Sequence, residues 1–272
     1  MSVINTNVKS IVAQNALAIN SRNLGKAMEQ LSTGKRINTA SDDAAGLAIS
    51  DRMTAQIRAL NQSVRNANDA VSMMQTAEGA TNEISNMLER MRELAIQAAN
   101  DSYGTEDRTA LQTESNQLKE EISRIAQNTQ WNGMAILKDD KTMTYQVGTQ
   151  GNTDSSITVD FKAMDSTTLS VEGLLLDSNT NAQSAIGKLD TAIQTVDTYR
   201  ATLGAKINRM TSAADNLTNV SMNTSASRSR ILDTDYAQAT TELARAQIIQ
   251  QAATAMLAQA NQQPQAVLSL LK

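Results

Sequence analysis

The middle of the chain carries a regular spacing of apolar residues. Between residues 53 and 74 they recur at alternating steps of four and three, and the same rhythm returns between residues 84 and 98. A four-three repeat is typical of one long α-helix with a single buried seam. We therefore predict a helix over about residues 41–100, with Ser41 as its N-cap.

Apolar residues also recur at helical spacing before and just after this long helix. One stripe runs from Ile4 to Leu31 and stops at Gly34, a residue type that commonly follows a helix. Another begins near Thr105, after turn-forming residues. Because the loop before Thr105 is short, its helix is expected to pack antiparallel to the long one.

Residues 138–176 have a different pattern. Apolar residues alternate with polar ones at Met143, Tyr145 and Val147 and again from Ile157 to Phe161, with a glycine-containing turn between them. This alternation predicts a β-hairpin. Just before it, Asn132 and Gly133 form a dipeptide that favours a tight turn.

Helical spacing returns in the last third of the chain. A stripe nearly as long as the central one starts near Asn181, and a last stripe from Tyr236 to Leu257 follows a Ser/Asn/Thr-rich patch at residues 221–229. Pro264 is expected to end or kink that last helix. The predicted fold is mainly α: a long antiparallel, coiled-coil-like helical bundle with a small β-hairpin region and terminal amphipathic helices.

Composition narrows the chemistry. The 272-residue chain has only 2% aromatic residues, 11 glycines and one proline, which favours a bundle over a β-sandwich or barrel. It contains neither cysteine nor histidine, so disulfides, an ordinary catalytic triad and a typical zinc site are excluded. We expect no enzymatic activity, no metal and no cofactor.

Charge and hydropathy point away from nucleic acid and membranes. The formal net charge of −4 is spread along the chain without a basic face, and no apolar run approaches the length of a membrane span. The N-terminal residues also lack the basic and continuous apolar regions of a signal peptide. Export, if it occurs, is expected to use a route that does not read such a signal.

The terminal segments are the predicted site of self-association. Ordering them costs about 1.5 kcal/mol per residue, more than two thin helices recover by packing only on each other. We expect the ends to be disordered in a monomer and to fold against further copies, the alternative being a terminal hairpin folded back on the bundle. The predicted polymerisation residues are Ile4, Val8, Ile11, Leu17, Leu24, Leu31, Leu243, Leu257, Val267, Leu268, Leu270 and Leu271.

Five motifs resemble bacterial flagellins. They are LSTGKRINTASDDAAG (31–46), RNANDA (65–70), RELAIQAAN (92–100), NTQWNG (128–133) and AQANQQPQAVLSLL (258–271). The resemblance covers all but about residues 138–180, where many flagellins carry large variable outer domains and this chain has only a hairpin-sized insert. It implies a short flagellin made of the two inner domains. Residues 1–40 and 235–272 would form the inner filament-core domain, and residues 41–234 the bundle domain.

The same resemblance implies where the protein works and what it meets. Flagellins are secreted through the flagellar type III export channel and polymerise under a cap into the extracellular flagellar filament, which serves motility. The implied partners are further copies of the chain, the cap and hook-junction proteins and an export chaperone. In flagellins recognised by host Toll-like receptor 5, an arginine, a leucine and a glutamate on the next helix contact the receptor. The matching residues here are Arg90, Leu94 and Glu114, with Glu93 beside them.

Two other classes of protein would share parts of this pattern. A flagellar hook-filament junction protein has similar terminal helices but different inner motifs. A coiled-coil signalling module, like the cytoplasmic part of a chemoreceptor, would explain the long seams. It would not explain the terminal helices with few charges. From residue spacing alone, Arg90 and Glu93 predict only an i,i+3 ion pair on a wet helix face.

Overall fold

The computed structural model describes residues 6–269, with side chains as far as residue 262. Within these residues the architecture is mainly α, as the apolar spacing predicts. The helices are α1 (Val8–Thr33), α2 (Ala44–Ala98), α3 (Thr105–Asn128), α4 (Asn179–Leu232) and α5 (Tyr236–Ser269). The predicted long central helix and its partner are α2 and α4, with 55 and 54 residues.

Two antiparallel hairpins lie between α3 and α4. The first pairs β1 (Gln130–Trp131) with β2 (Met134–Ala135) across the predicted Asn132–Gly133 turn. Both turn residues have positive φ, 47° and 78°, the conformation that this dipeptide favours. The second hairpin pairs β3 (Lys141–Gln146) with β4 (Ser156–Phe161), confirming the hairpin predicted from alternation.

The chain divides into two compact units. One is formed by the residues up to Ile57 together with those from Met222 onward, and the other is Arg58–Ser221. Helices α1 and α5 belong to the first unit. Helix α3 and both hairpins belong to the second.

The second unit has an aliphatic core that follows the predicted seams. From α2 it takes residues such as Met74, Leu88 and Met91, and from α4 residues such as Val196 and Met210. The chain has thirteen methionines and few aromatic residues. This core can be packed without many aromatic rings because Met and Leu side chains fill the irregular space between long helices. Phe161, the chain's single phenylalanine, is also fully buried there.

The β3–β4 hairpin packs against the helices of this unit. The Tyr145 hydroxyl donates to the Met73 sulfur of α2 at 2.9 Å, and the Asn66 side-chain amide of α2 donates to the Gln146 carbonyl at 3.0 Å. From α4, Lys206 Nζ donates to the Thr158 carbonyl at 2.8 Å. Side-chain donors from both long helices therefore reach the two strands, as expected for a hairpin that is unstable alone.

The predicted N-cap of the long helix is wrong. Ser41 lies before the helix and shares a hydrogen bond with the Thr39 hydroxyl, whereas Asp43 Oδ1 accepts the Gly46 backbone N–H at 2.8 Å. The reason is the turn just upstream. Asp42 accepts the backbone N–H of Thr39 and pairs with Lys26, so the helix begins only after that turn.

Helix α4 includes the Ser/Asn/Thr-rich residues 221–229. Hydroxyls there bond to side chains, since Ser221 donates to Asn61 Oδ1 at 2.9 Å and Ser229 donates to Asp233 Oδ2 at 2.6 Å. The expectation that a helix could end at Pro264 is wrong. Helix α5 continues past Pro264 to Ser269. A proline removes one backbone donor, and the other hydrogen bonds of a 34-residue helix continue it.

The terminal segments differ from the predicted disorder. Residues 8–33 and 236–269 form α1 and α5, which pack on each other within the first unit. Asn7 contacts Ala260 and Asn20 contacts Ala246, so the two helices run antiparallel. Small buried residues at the contact, such as Ala27 and Ala246, let the two helix backbones approach closely. This close approach compensates for the small number of large side chains between the helices.

Candidate functional site

The α1–α5 pair is held together by small and polar side chains. Asn20 Nδ2 donates to the Ala246 carbonyl at 2.8 Å, and both residues are buried. Towards the other end, the Ser10 hydroxyl donates to Asn261 Oδ1 at 2.9 Å. Directed hydrogen bonds of this kind fix the register of a helix pair that has few large apolar contacts.

Large apolar side chains of this pair point to solvent instead. Val8, Ile11 and Val12 on α1 are each between 55% and 63% exposed. On α5, Ile248 and Met256 are 67% and 66% exposed. Single exposed apolar residues are ordinary on a protein surface, but this many on two adjacent helices form an apolar surface of the kind that binds other proteins.

One end of the pair has an apolar groove. It is lined by Val8, Val12 and Ala13 of α1 and by Met256 of α5. Lys9, Gln259 and Ala260 complete its lining. The groove could accept an apolar ridge from another helix.

The predicted polymerisation residues fall into three groups. Val8 and Ile11 are exposed, which fits residues that await a partner. The leucines of the two stripes are half-buried: Leu17, Leu24, Leu31, Leu243 and Leu257. The remaining residues lie outside the part of the chain whose side chains are described: Ile4, Val267, Leu268, Leu270 and Leu271.

The predicted polymerisation residues follow one apolar stripe on each terminal helix and omit a second apolar face. Val12, Ile19, Ile248, Ile249 and Met256 are large, exposed and outside the predicted stripe. The signal that could have found them is the absence of charge. From Ala246 to residue 262 there is no charged residue, so no face of α5 there is marked as the solvent side.

In the second unit, Arg90 is the centre of an ion-pair cluster. Its Nη1 lies 2.8 Å from Glu93 Oε2, and its Nη2 lies 2.9 Å from Glu114 Oε1. Arg90 Nε also donates to Glu114 Oε1 at 3.0 Å. The structure thus brings three of the four predicted receptor residues together across α2 and α3, with the arginine side chain 50% exposed.

The electrostatics of this cluster keep the arginine charged. Hydrogen bonds to Glu93 and then to Glu114 raise the pKa of the Arg90 guanidinium above its usual range. Next to it, Arg92 Nε lies 2.5 Å from Asp190 Oδ1 on α4, and this hydrogen bond raises the pKa of Arg92. The two exposed ion pairs therefore link α2 to two different helices, Arg90 to α3 and Arg92 to α4.

Leu94 does not share an exposed patch with Arg90, and that part of the prediction is wrong. Its side chain is 1% exposed and belongs to the core of the second unit. The physical reason is the seam itself: Met91 and Ala95, its helical neighbours, are completely buried, and Leu94 extends the same apolar face. Arg90, one turn before Leu94, lies at the exposed edge of that seam.

Neither a metal-binding cluster nor a membrane-spanning helix is found in the described part of the chain. Among those residues no group of three or more acidic, histidine or cysteine side chains is arranged to hold a metal ion. Across the same residues no helix is both long and apolar enough to cross a membrane.

Comparison with known proteins confirms the resemblance noted from the motifs. The family profile of the bacterial flagellin N-terminal helical region matches residues 4–142, and that of the C-terminal helical region matches residues 186–271. A flagellin of Halalkalibacterium halodurans is 46% identical over 274 residues, covering 99% of this chain and 100% of that protein. A flagellar filament 30.7 kDa core protein of Treponema maltophilum is 40% identical over 285 residues, covering 99% of each.

A solved structure shares the fold at much lower identity. A putative flagellar hook-associated protein from Vibrio parahaemolyticus is 13% identical, with a TM-score of 0.61, and the match covers 71% of this chain and 100% of that one. Low identity of this kind shows a common helical architecture. Both flagellin profiles and the full-length relatives, in contrast, show the family: the chain belongs to the bacterial flagellins.

Proposed function

We propose that the protein is a structural subunit that polymerises into the bacterial flagellar filament and so serves motility. The observation that carries the proposal is the apolar surface left exposed on α1 and α5 of a chain that matches flagellins over its whole length. Burying one fully exposed large apolar side chain contributes about 1.5–3 kcal/mol. Completing the burial of several partly exposed ones per subunit therefore favours assembly.

The proposed assembly region comprises the terminal segments, residues 1–40 and 235–272. In the filament these helices of neighbouring subunits would pack together, with Val8, Ile11 and the half-buried leucines at the contacts. The apolar C-terminal residues from Val267 to Leu271 would join them. The bundle, residues 41–234, would surround this core.

The subunit would be synthesised inside the cell and assembled outside it. It would be bound by an export chaperone, leave through the flagellar export channel, and be added beneath a cap above the hook-junction proteins. The apolar residues exposed on α1 and α5 support the need for a chaperone, since an unassembled subunit would otherwise aggregate.

Electron microscopy of the purified full-length protein tests this function. Monomers incubated with sheared filament seeds, or salted out without seeds, should give long helical filaments. A matched variant that replaces Val8, Ile11 and Val12 by serine should remain monomeric in the same buffer while retaining its helicity by circular dichroism. Amorphous aggregates or permanent monomers from the unmodified chain would contradict the proposal.

We also propose that the monomer is recognised by Toll-like receptor 5 through Arg90, Glu93 and Glu114. Support comes from the geometry, since these three side chains converge at an exposed point between α2 and α3. Leu94, buried directly behind, would position α2 rather than reach the receptor surface. Because neighbouring subunits would pack along α2, assembly should cover the cluster and make recognition depend on free monomer.

The hook-filament junction protein is the alternative within the same fold. Identity of 46% over the full length with a flagellin, against 13% with a hook-associated protein, favours the filament subunit. Copy number distinguishes the two functions. A filament subunit should dominate a sheared filament preparation, whereas a junction protein should be present in a small, fixed number per filament.

A further inference from the structure

The structure separates the methionines into shielded and accessible ones. The chain has 13 methionines and no cysteine, so the methionine thioether is its only type of sulfur. Five of them are at most 2% exposed: Met73, Met74, Met91, Met164 and Met210. Met28 and Met256, in contrast, are 55% and 66% exposed.

Met28 and Met256 lie on the helices that the proposed function assembles. Met256 lines the apolar groove with Val8 and Val12. Met28 is on α1, three or four residues from Leu31 and Leu24, and therefore on the side of the helix that carries the predicted stripe.

We infer that Met256, together with Met28, is an oxidation site through which a peroxide prevents the subunit from joining a filament. This inference rests on the proposed assembly function. The oxidant belongs to the class of two-electron oxygen donors, of which hydrogen peroxide is the simplest. It goes beyond assembly itself, because it makes addition of the subunit depend on the redox history of the free monomer.

The reaction is a direct oxygen transfer. The thioether sulfur attacks one peroxide oxygen, an S–O bond forms, and the O–O bond breaks. The sulfur loses two electrons and becomes a sulfoxide. The other oxygen leaves as hydroxide and takes up the remaining proton, so water is the second product.

A sulfoxide is incompatible with a dry contact at either place. Its oxygen is a strong hydrogen-bond acceptor, and the Val8, Val12 and Ala13 side chains in the groove beside Met256 offer no donor, although Lys9 and Gln259 also line the groove. In the monomer the oxygen remains hydrated, so the fold tolerates it. In an assembled contact the oxygen would exchange water for a largely apolar surface, which is unfavourable.

Assembly should in turn protect the same sulfur atoms. Once neighbouring subunits cover α1 and α5, a peroxide can no longer reach Met256 and Met28. Free monomers would therefore be sensitive and filaments resistant. Met134 and Met222, which are exposed but lie on β2 and α4, provide the comparison within the same chain.

The experiment compares elongation before and after oxidation. Full-length monomers are treated with hydrogen peroxide, the excess is removed, and the sulfoxide fraction at each methionine is read by peptide mass spectrometry. Growth from sheared filament seeds is then followed by light scattering. Three chains are compared: the unmodified protein, a Met28→Leu/Met256→Leu variant, and a Met134→Leu/Met222→Leu control. Circular dichroism confirms that all three are folded.

The unmodified protein and the control should lose about tenfold in elongation rate after oxidation, as expected when a polar acceptor moves from water into a largely apolar contact. The Met28→Leu/Met256→Leu variant should keep its rate, and methionine sulfoxide reductases should restore growth of the oxidised unmodified protein. Filaments treated in the same way should carry little sulfoxide at these two positions.

Three results would overturn the inference: unchanged elongation with both methionines oxidised, equal loss in the Met28→Leu/Met256→Leu variant, or no preferential oxidation of Met28 and Met256 over the buried methionines. If untreated monomers do not elongate seeds at all, the proposed assembly function itself fails and the inference with it. That result differs from assembly that proceeds regardless of oxidation.

Discussion

At the scale of single residues, one helical turn of α2 separates a surface ion pair from the core. Arg90 makes two carboxylate contacts at the surface, while Leu94 is buried with Met91 and Ala95. A substitution at either position could lower receptor activation, but for different physical reasons. Stability and activation must therefore be measured on the same variants.

Arg90→Ala should weaken receptor activation without unfolding the monomer. If Arg90 acts as a binding hot spot, the loss is about 2 kcal/mol, or roughly thirtyfold in the concentration needed. The measurement is activation of Toll-like receptor 5 by heat-depolymerised protein. Arg124→Ala is the matched control, because Arg124 is an exposed arginine in an i,i+3 pair with Glu121 on α3. Equal activity of both variants would contradict the assignment.

Leu94→Ala should act through stability instead. Removing a fully buried leucine leaves a cavity and costs about 2–5 kcal/mol of unfolding free energy. Urea unfolding monitored by circular dichroism measures that loss, and Arg90→Ala should stay within about 1 kcal/mol of the unmodified protein. A Leu94→Ala protein of full stability would show that the side chain is not in the core.

Two tyrosines, Tyr199 buried and Tyr145 half-buried, predict a loss of stability at alkaline pH. Burial raises the pKa of Tyr145 and of Tyr199 to about 12. Because the folded state favours the neutral phenol, this stability is complete below about pH 10 and is lost as pH rises through 12. At pH 11.5 the loss should be on the order of 1–2 kcal/mol per tyrosine.

The Tyr145→Phe/Tyr199→Phe variant checks that expectation. Phenylalanine cannot ionise, so its unfolding free energy should fall less between pH 9 and pH 11.5 than that of the unmodified protein. Urea titrations at the two pH values give the comparison. An identical fall in both proteins would assign the alkaline sensitivity to other groups.

At the scale of secondary structure, sequence patterns predicted the elements better than their ends. Gly34 ends α1 with a φ of 70°, and α3 begins at Thr105, both as predicted. The structure differs from the prediction at Ser41, where the turn around Asp42 outweighs a local capping preference, and at Pro264, beyond which α5 continues. Apolar spacing indicates which helix face is buried, but it does not indicate which polar side chains form hydrogen bonds or ion pairs.

The Asn132–Gly133 turn offers a test of local backbone preference. Gly133 has a φ of 78°, a conformation that costs about 1–2 kcal/mol for a residue with a Cβ. Gly133→Ala should therefore lower the unfolding free energy of the second unit by about that amount. Gly151→Ala, at an equally open position where the backbone is not in the left-handed region, should change it little. Equal effects of the two substitutions would contradict the role of the turn.

The candidate sites were predictable only in part, for a related reason. Arg90, Glu93 and Glu114 were named from motifs, and the fold brings them together. Their contact across two helices depends on an antiparallel packing that spacing suggests but does not measure. Apolar spacing places Leu94 on the buried seam, whereas the resemblance to receptor-binding flagellins implies that it is at the surface. Its side chain is buried, so it belongs to the seam. The predicted assembly residues omit the second apolar face of α5, because they follow a single apolar stripe.

At the scale of the whole molecule, the two compact units divide the work. The second unit, Arg58–Ser221, has a contiguous buried core and should fold alone. The first unit combines a helix pair held by small residues with large apolar side chains left exposed. The proposed function assigns folding stability to the one and assembly to the other.

The most direct measurement of this division compares the full chain with the fragment Arg58–Ser221. Both are incubated with filament seeds, sedimented, and examined by electron microscopy and circular dichroism. We expect a helical, soluble, monomeric fragment that never enters the pellet, and a full chain that elongates the seeds into filaments. A fragment that forms filaments, or one that is unfolded and aggregated, would contradict it.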